Sequence, residues 1–217
     1  MERTVPGEKE LQSRMETSDR AELFYKRQMR DSLTERMMEL IGRQEMMFVA
    51  TSDAEGKCDC TPRFGNGGFA LTVNDRTLMW PEFRGNGVYA SLGNIIENPH
   101  VGLVFVDFFD TTVGLHVNGR AESYTEAELP AAVRQFLEET NPQTVTDVER
   151  WVVVDVDEAY IHCSKHVPKL QKQDKPIDWG TDDPVAKSDS YFLPSAPAPK
   201  FLSRENHAAE QTESCDQ

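Results

Sequence analysis

Four cysteines in 217 residues are too few for a disulfide framework, and each reads as a small thiol in a reducing compartment. No stretch approaches the roughly 18 apolar residues that a membrane helix needs. The start, Met1-Glu2-Arg3-Thr4-Val5-Pro6, has no apolar core of the secretory kind. A cytoplasmic location with no membrane partner is therefore expected. Positive charge is short too: 23 Lys and Arg against 37 Asp and Glu leave a net charge of −14. That field repels nucleic-acid phosphates, so no nucleic-acid partner is expected. A local cluster of donors can still hold a phosphate against it. No internal repeat is visible.

What is present fits one domain with additions at both ends. The hydrophobic share is 38%, slightly low, so part of the chain is expected to lie outside the core. Residues 1–45 read as a helical extension, with Leu23, Phe24, Met37, Leu40 and Ile41 at helical spacing. Ser32 followed by Glu35 predicts a capping box that opens a helix at Leu33. Residues 46–171 read as the main domain. Met46 to Ser52 and Lys57 to Arg63 flank the turn Asp53-Ala54-Glu55-Gly56 as strands. Phe69 to Val73 and Thr77 to Trp80 form a second hairpin around Asn74-Asp75. Gly87 to Glu97 is expected to be helical and to stop before Asn98-Pro99. Val101 to Phe108 reads as a strand buried on both faces, and Gly114 to Tyr124 as the next strand. A helix over Glu126 to Glu139 ends at Asn141-Pro142, and Trp151 to Cys163 closes the set as a strand pair or one long bent strand. Residues 172–217 read as a polar, disordered tail. Successive hairpins with few helical crossovers favour an antiparallel barrel, mainly β with flanking helices, over a doubly wound sheet.

The chemistry-bearing residues lie between Asp59 and Arg120. Arg84, Asn86, Ser91 and Asn94 gather around the first turns of the Gly87–Glu97 helix. Free backbone N–H groups and the helix dipole favour an anion there. Gly85 and Gly87 permit close backbone approach, and an arginine fork with amide and hydroxyl donors suits a phosphate.

The order of elements from about Phe48 to Lys165 resembles the FMN-binding split β-barrel family typified by pyridoxamine 5'-phosphate oxidase. The segments that carry the likeness are Arg84-Gly85-Asn86, Leu92-Gly93-Asn94-Ile95 with Asn98-Pro99, and Val117-Asn118-Gly119-Arg120-Ala121. They look like an actinobacterial-type branch. The resemblance implies an antiparallel split β-barrel and a homodimer with FMN at the subunit interface. It implies that Asp59, Cys60, Thr61, Pro62 and Arg63, with Trp80 and Pro81, cradle the isoalloxazine. It gives the phosphate to Arg84, Asn86, Ser91 and Asn94. Asn118 and Arg120 would lie near the site or at the dimer seam, and His162, Ser164 and Lys165 would border the pocket. One departure stands out. The helix start reads Tyr89-Ala90-Ser91 where the authentic oxidases carry Ser-Arg-Lys, and the C-terminal Arg-x-His motif is missing. Vitamin B6 is therefore not the expected substrate.

Plainer readings exist for the same residues. Trp80 also suits simple core packing, and Arg63 and Arg84 suit solvated surface. Ile161-His162-Cys163-Ser164-Lys165-His166 also reads as a surface turn. Cys58-x-Cys60 is not a zinc-type Cys-x-x-Cys pair, and no metal is expected. The functional expectation is an FMN-dependent oxidoreductase acting on a small molecule, with no general acid or base assigned. The alternatives are a non-catalytic flavin-binding or sensing protein, and the same fold using F420 or haem.

Overall fold

The structure, a computed structural model, describes residues 5–140, 148–175, 177 and 179. The helix stop expected at Asn141-Pro142 and the expected tail from residue 180 onward lie outside them.

Three helices come first: α1 (Pro6–Arg14), α2 (Ser18–Arg27) and α3 (Glu35–Gly42). The α3 cap is Thr34 and not Ser32; its Oγ1 accepts from the Met37 N–H at 3.4 Å, which starts the helix two residues later than expected. Then follow β1 (Met46–Ser52), β2 (Cys58–Phe64), β3 (Leu71–Asn74) and β4 (Thr77–Phe83). After α4 (Ala90–Glu97) come β5 (His100–Val106), β6 (Gly114–Tyr124), α5 (Ala131–Thr140) and β7 (Val148–His162). The expected helix over Glu126 to Glu139 is divided. A 3-10 turn over Glu126–Glu128 stops at Leu129, and α5 starts only after Pro130, whose ring and missing N–H forbid a continuous helix.

The strands form one antiparallel seven-stranded sheet in the order β2-β1-β5-β6-β7-β4-β3, a split β-barrel with flanking helices. β7 is one long strand that pairs with both β6 and β4. Its register with β6 shifts between Asn118 and Gly119. Glycine is required at that bulge, because a Cβ on Gly119 would sit 2.2 Å from the Asp155 carbonyl oxygen.

Side chains alternate across the sheet. Met47, Val49, Leu103, Phe105, Leu115, Val117 and Val154 point inward and are fully buried. α3 closes this core with Met37, Leu40 and Ile41, and α4 with Leu92 and Ile95. Phe48, Val104, Val106, His116 and Tyr160 point to the outer face and are half-buried.

Burial on both faces was expected of the β5 strand and does not occur there. Its residues alternate, and its outer row, Gly102, Val104 and Val106, stays half-buried. Double burial falls on β4 and β7 instead. Leu78, Met79 and Trp80 are consecutive and fully buried, since Leu129 from the turn before α5 and Val133 of α5 cover the second face against Met79, Trp151 and Val153. Beyond the end of β4, the linker after α2 pairs with the edge of β7 through two backbone bonds between Arg30 and Ala159, at 2.9 and 2.8 Å.

Candidate functional site

A groove of about 450 Å³ opens between the end of β2, the end of β4, the loop before α4 and the first turn of α4. Its walls include Thr61, Arg63, Pro81, Glu82, Asn86 and Ser91, with Glu149 and Arg150 from β7 and Trp179 from beyond the barrel. The volume lies within the roughly 300–1,000 Å³ typical of small-molecule sites.

β2 explains the polarity of one wall. Asp59, Thr61 and Arg63 alternate on its partly buried face, while Cys60 and Pro62 are exposed on the other. Arg63 Nε donates to Glu82 Oε1 at 2.7 Å, and Trp80 Nε1 donates to the same oxygen at 2.8 Å. Both side chains of the ion pair are largely shielded, 17% and 14% exposed, so this charge-assisted contact holds the guanidinium still at the groove wall. Asp59 Oδ2 accepts from Thr61 Oγ1 at 2.9 Å and from Ser91 Oγ at 3.0 Å, which ties β2 to α4.

The entrance to α4 is unusual. Gly87 has φ +78° and Tyr89, in the N-cap position, has φ +52° with no side-chain cap. These left-handed residues explain why α4 starts at Ala90 and not at Gly87. The first-turn N–H groups have no intrahelical acceptor, the arrangement that favours an anion. Asn86 Oδ1 accepts from the Val88 N–H at 3.0 Å, so any donation toward a ligand falls to its amide nitrogen. The Tyr89 hydroxyl donates to Glu149 Oε1 at 2.5 Å, and that bond raises the phenol pKa above its ordinary value.

The groove thus assembles Thr61, Pro62, Arg63, Pro81, Asn86 and Ser91. Asp59 stands behind it. Arg84 is on the exposed loop that borders it. Trp80 is fully buried in the core and meets the groove only through Glu82. Asn94 faces β1, donating to Thr51 Oγ1 at 2.9 Å. Cys60 is exposed on the opposite face of β2. Asn118 lies away from the groove on the sheet's outer side, where its Nδ2 donates to Glu158 Oε1 at 2.7 Å. There it lines a larger cavity, about 1290 Å³, between α1, α2 and the outer faces of β1, β5 and β6. Lys165 is exposed in a 3-10 turn after β7.

Glu82, Glu149, Arg150 and Trp179 are among the wall residues that were not anticipated. Glu82 sits next to the Trp80-Pro81 pair and was legible by adjacency. Trp179 was not legible at all. It returns from a polar segment, stacks on Phe83 with ring centroids 6.3 Å apart and donates to Asn66 Oδ1 at 3.1 Å.

The donor set fits a phosphorylated planar ligand. Arg63, the Asn86 amide and the uncapped α4 start supply donors, while Pro62, Phe83, Val88 and Trp179 supply apolar wall. Glu149 and Asp59 stand at the helix entrance itself, bonded to Tyr89 and Ser91, and Glu82 is bonded to Arg63, so these carboxylates narrow the space open to an anion.

Among solved structures, the chain is similar to HupZ of Group A Streptococcus, at 22% identity and TM-score 0.46, over 64% of this chain and 99% of that one. It is also similar to an F420 reductase, at 17% identity and TM-score 0.38, over 60% and 98%. A third is HutZ, the haem storage protein of Vibrio cholerae, at 12% identity and TM-score 0.42, over 60% and 93%. No curated protein matches the chain. The model of the family described as pyridoxamine 5'-phosphate oxidase matches residues 33–163, from the turn before α3 to the end of β7. That span exceeds half of the sequence and contains most of the groove, so the chain belongs to the pyridoxamine 5'-phosphate oxidase family.

Proposed function

We propose that this protein is a cytoplasmic FMN-dependent oxidoreductase acting on a small molecule. The observation that carries the reading is the groove itself: an uncapped, left-handed helix entrance beside a fixed arginine, inside a cavity of ligand size. The phosphate of FMN would lie at Arg84, Asn86 and the first turn of α4, and the ring along Thr61, Pro62, Arg63 and Pro81. The flavin supplies the redox chemistry when bound; the chain binds it, orients it and sets its electrostatic surroundings. A homodimer completes the site. The half-buried outer face with Phe48 and Val104 is the surface offered to the second copy, and Asn118 lies on that face.

A carrier or sensor role is the second reading, and one observation favours it. The carboxylates lining the groove, Glu82 and Glu149, are already bound to Arg63 with Trp80 and to Tyr89. Neither is poised as a general base.

The purified protein's visible spectrum tests the cofactor. The paired bands of a flavin support the proposal, whereas a deazaflavin band or a sharp Soret band replaces FMN by F420 or haem. Anaerobic reduction by NADH or NADPH and reoxidation by candidate substrates separates an enzyme from a carrier. The Arg84→Ala/Asn86→Ala double variant is expected to weaken FMN binding by about 2–4 kcal/mol in a fluorescence titration. Unchanged affinity in the folded variant removes the helix entrance from the site.

A further inference from the structure

We propose that His116 and His162 form a two-imidazole chelate for a divalent first-row metal ion of the zinc, nickel and copper group. Neither histidine lines the groove described above. His116 lies in β6 and His162 is the last residue of β7. The register pairs His116 with Tyr160 and Gly114 with His162, so the two histidines are diagonal neighbours on the outer face.

Their nitrogens converge. His116 Nε2 and His162 Nδ1 are 3.2 Å apart. An ion about 2.0–2.1 Å from each nitrogen, the usual zinc–imidazole distance, then subtends an angle of roughly 100°. That is close to tetrahedral.

Two features of the backbone and packing prepare this geometry. A Cβ on Gly114 would stand 2.8 Å from His162 Cβ and 3.3 Å from its Cγ. Glycine at that position leaves the space His162 occupies as it leans across β6. His116 is fixed from the other side: its ring stacks on Tyr160 at 4.7 Å with an interplanar angle of 8°, and Tyr160 is met edge-on by Phe24 of α2 at 5.7 Å. The rings themselves are tilted by 41° to each other, as two ligands of one ion can be.

Imidazole nitrogens select zinc, copper and nickel over magnesium and calcium. Among the described residues no group of three His, Cys, Asp or Glu side chains is arranged to hold an ion. The chain therefore supplies two ligands and leaves the other positions to groups outside it. The net charge of −14 favours accumulation of cations near the surface.

The test uses the full chain, freed of metal by a chelator and titrated calorimetrically with Ni²⁺ and, separately, Zn²⁺ as the only added ligand. One ion per chain is expected, with affinity lowered at least about tenfold in His162→Ala and again in His116→Gln. His166→Ala, which alters a neighbouring histidine outside the pair, should bind as the unaltered chain does. His162 is exposed, so His162→Ala is expected to fold; its unfolding midpoint without metal checks this. In that variant, saturating Zn²⁺ should no longer raise the midpoint. Absence of binding by the unaltered chain, or unchanged affinity in folded His162→Ala, reduces the pair to an ordinary imidazole–imidazole hydrogen bond and overturns the assignment.

Discussion

Phe105 and Val104 are neighbours in β5, yet the two faces they serve differ in almost every respect. Phe105 joins Leu103, Leu115 and Val117 in a core from which water is fully excluded. Val104 lies in a half-buried row with Phe48, His116 and Tyr160, of which α2 meets Tyr160 through Phe24. Both sides of the strand carry aliphatic residues, Val104 and Val106 outside against Val101 and Leu103 inside, so aliphatic content alone does not distinguish them. Coverage does. The inner face is closed by α3 and α4, whereas the outer face offers apolar and imidazole side chains to whatever binds there.

The sharpest way to break this contrast is to truncate both residues. Phe105→Ala should destabilise the protein by about 3–5 kcal/mol in urea unfolding, the cost of lost burial plus an unfilled cavity. A loss below about 1 kcal/mol would mean that the inner face is not the stabilising core.

A smaller effect is expected at the end of the same strand. Asp107 is shielded, and burial by itself would raise its pKa. Hydrogen bonds from the Thr111 hydroxyl and from the N–H groups of Thr111, Asp110 and Phe109 outweigh that and hold it at about 2. The folded value is depressed below the ordinary 3.8. Its contribution is therefore fully present above about pH 4 and disappears as pH falls from about 4 to 2, amounting to about 2 kcal/mol. Urea unfolding of the unaltered chain and of Asp107→Asn across that range measures it: the difference between them should narrow as the medium becomes more acidic. A difference that stays constant would show that the turn is held by something other than ionised Asp107.

The smallest effect belongs to Val104→Ala. It should cost under about 1 kcal/mol in the unfolding of an isolated chain, while weakening any self-association measured by light scattering. Equal stability losses for Val104→Ala and Phe105→Ala would erase the distinction between the faces.

Much of the barrel was legible along the sequence. β1 and β6 occupy the segments that alternation and turn chemistry indicate, because a hairpin is a local event: Asp53 Oδ1 accepts from the N–H groups of Glu55 and Lys57 to close the first one. Gly85, Asn86 and Gly87 marked the loop before α4, though not that the helix would begin only at Ala90. The direction of Trp80 was not legible, since a strand residue faces either side and its register with β7 decides which. Nor was the double burial of β4 and β7, which depends on where α5 lands. The partners of the site residues were also hidden, because Arg63 and Glu82 stand nineteen positions apart and Ser91 and Asp59 thirty-two.

What the sequence alone determined is the set of local choices: which segments extend, where glycine and proline interrupt them, and which polar groups the chain owns. Tertiary structure decided which face is sealed, which carboxylate holds which arginine, and that two histidines forty-six residues apart meet at 3.2 Å. The physical reason is that alternation restricts a strand residue to one of two faces, while burial and pairing are settled only by distant segments brought alongside.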